Sequence, residues 1–210
     1  MKHLFTIILA ILIATLLFAQ SLTDRRDKRL KKFGVALYSG IFAPVGSQDI
    51  IAPGPTTGLS ISTPIYHRLY GEVALKLRFY KNSEQFVYRL RGVDNAVTSK
   101  YAQFLGVYLN WRLYEQNHNF IHARLGLGAD IVTTSLKQPR KPTANDPSTN
   151  YSYGVNTLHE AIGFSVMHQL KTGQFIGLAA ELHYVPYGLT SRLKTEFDVL
   201  AASTELFFRF

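Results

Sequence analysis

Residues 71–80 read G-E-V-A-L-K-L-R-F-Y. In an extended chain, Val73, Leu75, Leu77 and Phe79 point one way. Glu72, Ala74, Lys76, Arg78 and Tyr80 point the other way. Alternation at period two marks a β-strand whose faces meet different surroundings, one apolar and one charged.

The pattern recurs on both sides of this stretch. In 104–114, Leu105, Val107, Leu109, Trp111 and Leu113 oppose Phe104, Tyr108, Asn110, Arg112 and Tyr114. In 120–131, Ile121, Ala123, Leu125, Leu127, Ala129 and Ile131 oppose His122, Arg124 and Asp130. In 174–185, Ile176, Leu178, Ala180, Leu182 and Tyr184 oppose Glu181 and His183. In 197–210, Leu200, Ala202, Leu206, Phe208 and Phe210 oppose Ser203, Glu205, Phe207 and Arg209. Segments 33–43, 57–67 and 153–168 complete eight expected strands. An even number of strands, each about 9–11 residues long, suits a closed antiparallel barrel that crosses a bilayer. Closure satisfies every backbone group where no water can.

The links alternate in length. Those near 68–71, 115–119 and 169–173 are short, and those at 44–56, 81–100, 135–152 and 187–196 are long. Outer-membrane barrels have short periplasmic turns and long outer loops. A periplasmic N-terminus makes the order agree. Tyr80, Tyr101, Trp111, Tyr114, Phe120, Tyr184, Tyr187 and Phe208 fall near strand ends, as interfacial aromatic girdles would.

The N-terminus has a basic head, an apolar run from Leu4 to Phe18 and then Ala19-Gln20. These are the parts of a secretory signal peptide, and the run is short for a spanning helix. The expected division is a signal peptide at 1–20, a basic periplasmic leader at 21–32 and a barrel at 33–210. The leader SLTDRRDKRLKK holds six basic and two acidic residues, so it carries +4 of the formal +9. An exported chain with its charge in a short leader argues against a nucleic-acid partner. There is no cysteine, hence no disulfide and no lipid anchor on a thiol.

The ending Thr204-Glu205-Leu206-Phe207-Phe208-Arg209-Phe210 resembles the last strand of bacterial outer-membrane proteins. That resemblance implies that Phe208 and Phe210 are read by the barrel-assembly machinery during insertion. The signal peptide ending in Phe-Ala-Gln, residues 57–80 and 176–184 (IGLAAELHY) resemble small outer-membrane barrel proteins of Bacteroidota. The chain also resembles OmpX-like and PorT-like eight-stranded barrels, the latter associated with type IX secretion. The resemblance implies an outer-membrane location, contact with lipid and lipopolysaccharide, and no enzymatic activity.

An eight-stranded interior is nearly filled by side chains, which argues against an open pore. The expected interior is a charge network of Glu72, Lys76, Arg78, Asn110, Arg112, Arg124, Asp130, His159, Glu181, His183, Glu205 and Arg209. Buried charges must be paired. Glu181 and Glu205 are expected to pair with Arg124, Arg112, Arg78 or Arg209. A narrow ion path or a proton-sensitive plug is the functional reading of the same residues.

Two rival classes share the pattern. A soluble lipocalin-like cup would turn the aliphatic face inward around an apolar ligand. A lipid-modifying barrel would need a serine–histidine–acid set. Its candidates are His159, Ser165, His168, Glu181 and His183, with Ser39 or Ser203 as the serine nearest His183. The alternation places Ser165 and His168 on opposite faces, so no catalytic set is expected. The histidines are scattered, so neither a metal site nor a cofactor is expected, although His118 and His122 flank one turn. Loop 81–100 contains alternating Phe86-Val87-Tyr88-Arg89-Leu90-Arg91 and is expected to extend strands three and four outward as a hairpin. Its edge could recruit a protein partner by strand addition.

Overall fold

The computed structural model describes residues 34–45, 51–80, 85–90, 92–139, 150–187 and 198–210. The expected signal peptide and leader lie outside these residues, as does 140–149 of the third long loop.

Ten strands are described. They are β1 (Gly34–Pro44), β2 (Gly54–Tyr66), β3 (Leu69–Phe79), β4 (Phe86–Leu90), β5 (Val93–Val97), β6 (Ser99–Gln116), β7 (Asn119–Pro139), β8 (Asn150–Gln169), β9 (Phe175–Val185) and β10 (Val199–Arg209). Eight of them close into an antiparallel barrel in the order β1-β10-β9-β8-β7-β6-β3-β2, with β2 returning to β1. The first and last strands zip from Ala36↔Arg209 to Pro44↔Ala201, so the barrel has no open edge. The strands β6, β7 and β8 run well past the length that crosses a bilayer, with 18, 21 and 20 residues.

The short links are tight. Asn117 and His118 both have positive φ (47° and 66°), the geometry of a type I′ turn that matches strand twist. The β8–β9 link turns at Gly173, φ 86°, a conformation glycine adopts without strain.

The burial pattern decides which face meets what. Ile41, Trp111, Leu125, Ile162 and Phe164 are each 57–63% exposed. Glu72, Lys76, Arg78, Arg124, Asp130, Glu181 and Glu205 are each at most 6% exposed. A water-soluble cup would have these sets reversed. A continuous apolar girdle around a charged interior is stable only in hydrocarbon. Tyr66, Trp111 and Tyr114 are exposed toward the short-turn end, and Phe79 and Tyr184 toward the other end. Three expected girdle residues face inward instead: Tyr80 packs against an interior cluster, and Phe120 and Tyr187 are buried.

The hairpin β4–β5 corrects an expectation. It does not extend the barrel strands; it forms its own two-stranded sheet. One face, Phe86, Tyr88 and Val97, is buried against Phe42, Ile51, Ala102, Val132, Val155, Val185, Tyr187, Val199 and Ala201. Alternation in 86–97 thus buries one side onto the barrel mouth. The opposite side carries an exposed Arg89–Asp94 ion pair.

Candidate functional site

The lumen is built in layers, because each inward residue lies two positions from the next along its strand. At the long-loop end lies the apolar layer that the hairpin completes. Below it come three linked polar groups.

The uppermost centres on Asp130. Arg78 pairs with it, His159 Nδ1 donates to it at 2.8 Å, and Tyr187 donates to it at 3.3 Å. The chain continues from His159 Nε2 to His183 Nδ1 at 2.9 Å, and from His183 Nε2 to Ser203 Oγ at 2.8 Å. With both imidazoles neutral, one proton order satisfies every contact: Ser203 donates to His183, His183 to His159, and His159 to Asp130. Tyr187 lies beyond the end of β9. Burial, and next the Asp130 charge, push its phenol well above the usual range.

The middle group centres on Lys76, whose Nζ stands 2.6 Å from Glu205 and 3.1 Å from Glu181. Tyr108 donates to Glu181 at 3.0 Å, and Arg124 Nε stands 2.9 Å from its other oxygen. In the lowest group, Glu72 accepts from Tyr38 at 2.7 Å, Asn110 at 2.9 Å and Arg124 at 3.4 Å. Arg124 therefore bridges the lower two groups. Its guanidinium also lies 4.7 Å from the Tyr108 ring centroid.

Glycine makes room for these rings. A Cβ on Gly126 would come within 2.5 Å of Tyr108 Cε1, and one on Gly128 within 2.6 Å of Phe104 Cε2. The aromatic rings therefore lie flat on bare backbone of the facing strand.

Two expected members of the interior set sit apart from these groups. Arg112 lies at the short-turn mouth, paired with exposed Glu115 at 2.9 Å. Arg209 stacks at the same mouth over Phe175, 5.7 Å from the ring centroid. Of the expected pairings, Arg124 meets Glu181, whereas the cation that meets Glu205, and that Glu181 shares, is Lys76. The mouth encloses a cavity of about 20 Å³, room for a water molecule.

Of the catalytic candidates, Ser165 faces inward and His168 outward, as the alternation required. Ser39 is outward. The serine beside His183 is Ser203, a contact no single strand reveals, because it crosses from β9 to β10 on the register Ser203↔Glu181. The resulting serine–histidine–histidine–aspartate chain has the hydrogen-bond order of a nucleophile relay. Its surroundings are wrong for a lipid substrate. Ser203 is 4% exposed, Phe42 is its register partner on β1, and the Phe42 ring lies 5.4 Å from His183. His118 is exposed in a turn and His122 is buried inside the barrel, so these two do not form a pair. Glu160 and Asp198 are exposed outside the barrel, and Asp198 accepts from Tyr184 at 2.8 Å.

No protein-family model matches the sequence, and no curated protein matches it. Solved structures do. The crystal structure of Neisserial surface protein A aligns with 84% of this chain and 94% of its own at 10% identity, TM-score 0.55. A major outer membrane protein of Thermus thermophilus aligns with 85% of this chain and 98% of its own at 10% identity, TM-score 0.51. With the inverted faces and the closed β1–β10 seam, this likeness gives the fold: the chain is an eight-stranded antiparallel transmembrane β-barrel of the bacterial outer-membrane type.

Proposed function

We propose that this barrel is a non-enzymatic outer-membrane protein that acts through its long-loop surface, in adhesion, structural support or as an accessory of secretion. The observation that carries the reading is the filled lumen. The ion-paired groups occupy its middle and the hairpin layer seals one end. A filled lumen offers no diffusion path, and the Ser203 relay has no approach for an ester among the described residues. The surfaces left to meet partners are the loop end and the lipid-facing girdle.

In this reading residues 1–20 are a cleaved signal peptide, 21–32 a basic periplasmic leader and 33–210 the barrel. The short turns then face the periplasm and the hairpin faces outward. Phe208 and Phe210, whose rings meet at 5.3 Å, are the pair the assembly machinery reads. The girdle contacts lipid and lipopolysaccharide. Resemblance to the PorT-like barrels of Bacteroidota is what supports the secretion-accessory form.

The test combines two assays on the refolded barrel and one on cells. Planar bilayers should show no stepwise conductance, and fluorophosphonate should leave Ser203 unlabelled. Crosslinking on intact cells should capture a partner that a deletion of residues 86–97 loses. Steady channel currents, or labelling of Ser203, would overturn the proposal.

A further inference from the structure

The two rims of the barrel carry different charges. At the short-turn rim, Arg68 lies in the β2–β3 turn and Lys171 in the β8–β9 turn. Both are exposed, and neither has a carboxylate side chain in ion-pair range among the described residues. The exposed carboxylate at that end, Glu115, is held by Arg112. In the ring of strands the two turns lie opposite each other, four strands apart in either direction. The leader 21–32, with six basic and two acidic residues, precedes β1 at this same end. Basic groups thus stand around the rim instead of on one side of it.

The same rim is aromatic on its outside. Tyr66, Trp111 and Tyr114 are exposed there. Arg68 sits beside Trp111: Leu69 is the register partner of Trp111, and Arg112 N donates to the Arg68 carbonyl at 2.8 Å. Indole and phenol rings settle at headgroup depth in a bilayer. Long basic side chains lay their stems on apolar surface and carry the charge to the polar layer. A guanidinium or ammonium at that depth meets lipid phosphate. The long-loop rim differs. Its carboxylates Glu160, on β8, and Asp198, just before β10, flank the exposed Tyr184 of β9, and Asp198 accepts the tyrosine hydroxyl at 2.8 Å.

A protein partner would dock on one side of the barrel. Unpaired cations on opposite sides suit a partner that surrounds it, and a lipid leaflet does so. We infer that the short-turn rim binds the phosphates of anionic phospholipid headgroups, with Arg68 as the contact beside Trp111 and Lys171 as the contact across the ring. The inference rests on the membrane reading above and adds the lipid class that this rim selects. It does not depend on which way the barrel is inserted, because the two rims differ within the protein itself.

Trp111 is the only tryptophan and stands at this rim, so it reports on the lipid beside it. The protein, purified from outer membranes, is reconstituted into vesicles that mix phosphatidylcholine with phosphatidylglycerol. One lipid or the other is brominated high on its acyl chains. Bromine quenches indole only at contact, so the two quenching curves give the relative affinity of the lipids at Trp111. Phosphatidylglycerol should be favoured about fivefold at low salt, the factor one basic residue contributes near an anionic surface. In about 1 M salt the preference should fall toward one. Arg68→Gln should bring it close to one at low salt, and Arg68→Lys should keep most of it. The salt arm needs no variant. Trp111→Phe combined with Tyr184→Trp moves the reporter to the long-loop rim, where no preference for phosphatidylglycerol is expected. Equal affinity of the two lipids at Trp111 overturns the inference and leaves the membrane reading intact. So does a preference that survives both salt and Arg68→Gln, or one equally large at position 184. Quenching by neither lipid would overturn the inference and the membrane reading together.

Discussion

His159 Nε2 lies 2.9 Å from His183 Nδ1, and the two imidazoles form the centre of a chain that runs from Ser203 to Asp130. Each ring is a donor on one side and an acceptor on the other. Removing a central ring therefore orphans two groups, whereas removing the end hydroxyl orphans one acceptor. His183→Leu should cost roughly 2–4 kcal/mol and Ser203→Ala about 1 kcal/mol. Urea unfolding in lipid vesicles, followed by the emission of Trp111, the only tryptophan, measures both. Equal costs would contradict the chain.

Lys76 holds Glu181 and Glu205 together at 3.1 and 2.6 Å. Without it two buried carboxylates face each other, with Arg124 and Tyr108 left on Glu181 and no other cation on Glu205 among the described residues. Lys76→Met should destabilise the barrel by about 3–5 kcal/mol, the cost of breaking a buried pair from one side. Glu205→Gln added to it should restore part of that loss. A double variant no better than the single one would show that the two residues do not interact.

The inward and outward faces were legible from alternation alone. The inward positions Glu72, Lys76 and Arg78 could be read from residues 71–80 without any contact information, because a strand has only two faces. Pairing was not legible. Which cation meets Glu205 depends on packing across the lumen between β3 and β10, distant in sequence, and which serine meets His183 depends on the register of β9 against β10. The hairpin at 86–97 was visible as a hairpin, but its buried face was not, since alternation does not say what a loop packs against. Tyr38 was not singled out, and Tyr108, though placed on the inward face, was not counted in the polar network. A tyrosine in a strand suggests an interface, and only the closed barrel shows these two donating to Glu72 and Glu181. The ends of β6, β7 and β8 ran longer than expected because polar residues such as Thr133, Thr134 and Ser135 interrupt the apolar signal while the ladder continues.

Gly126 lies beneath the Tyr108 ring, with no space for a side chain. Gly126→Val should push the ring off the backbone and loosen its contact with Glu181, costing about 1–3 kcal/mol by overpacking. The Tyr108→Phe variant separates the effects, since it keeps the ring and loses only the hydroxyl. The unfolding midpoint in urea checks both.

The turn at Asn117-His118 keeps a histidine at φ 66°. His118→Gly relieves that conformation and gives the Asn-Gly pair that type I′ turns prefer. Stability should rise by about 1 kcal/mol, offset in part by the freer unfolded chain. A fall in the unfolding midpoint would contradict the assigned turn.

The central claim is that the aliphatic face meets lipid, and Leu125 tests it most directly. It is 57% exposed, on the outward face of β7 and away from both strand ends. Leu125→Arg in a membrane barrel should cost about 2–4 kcal/mol of folding stability in vesicles, the penalty for a guanidinium near the midplane. The measurement is the urea midpoint of the refolded variant against the parent. A large loss, with the parent showing heat-modifiable mobility from isolated outer membranes, is the expected result. An unchanged or improved midpoint, with the protein soluble without detergent, would place Leu125 in water and contradict the membrane assignment.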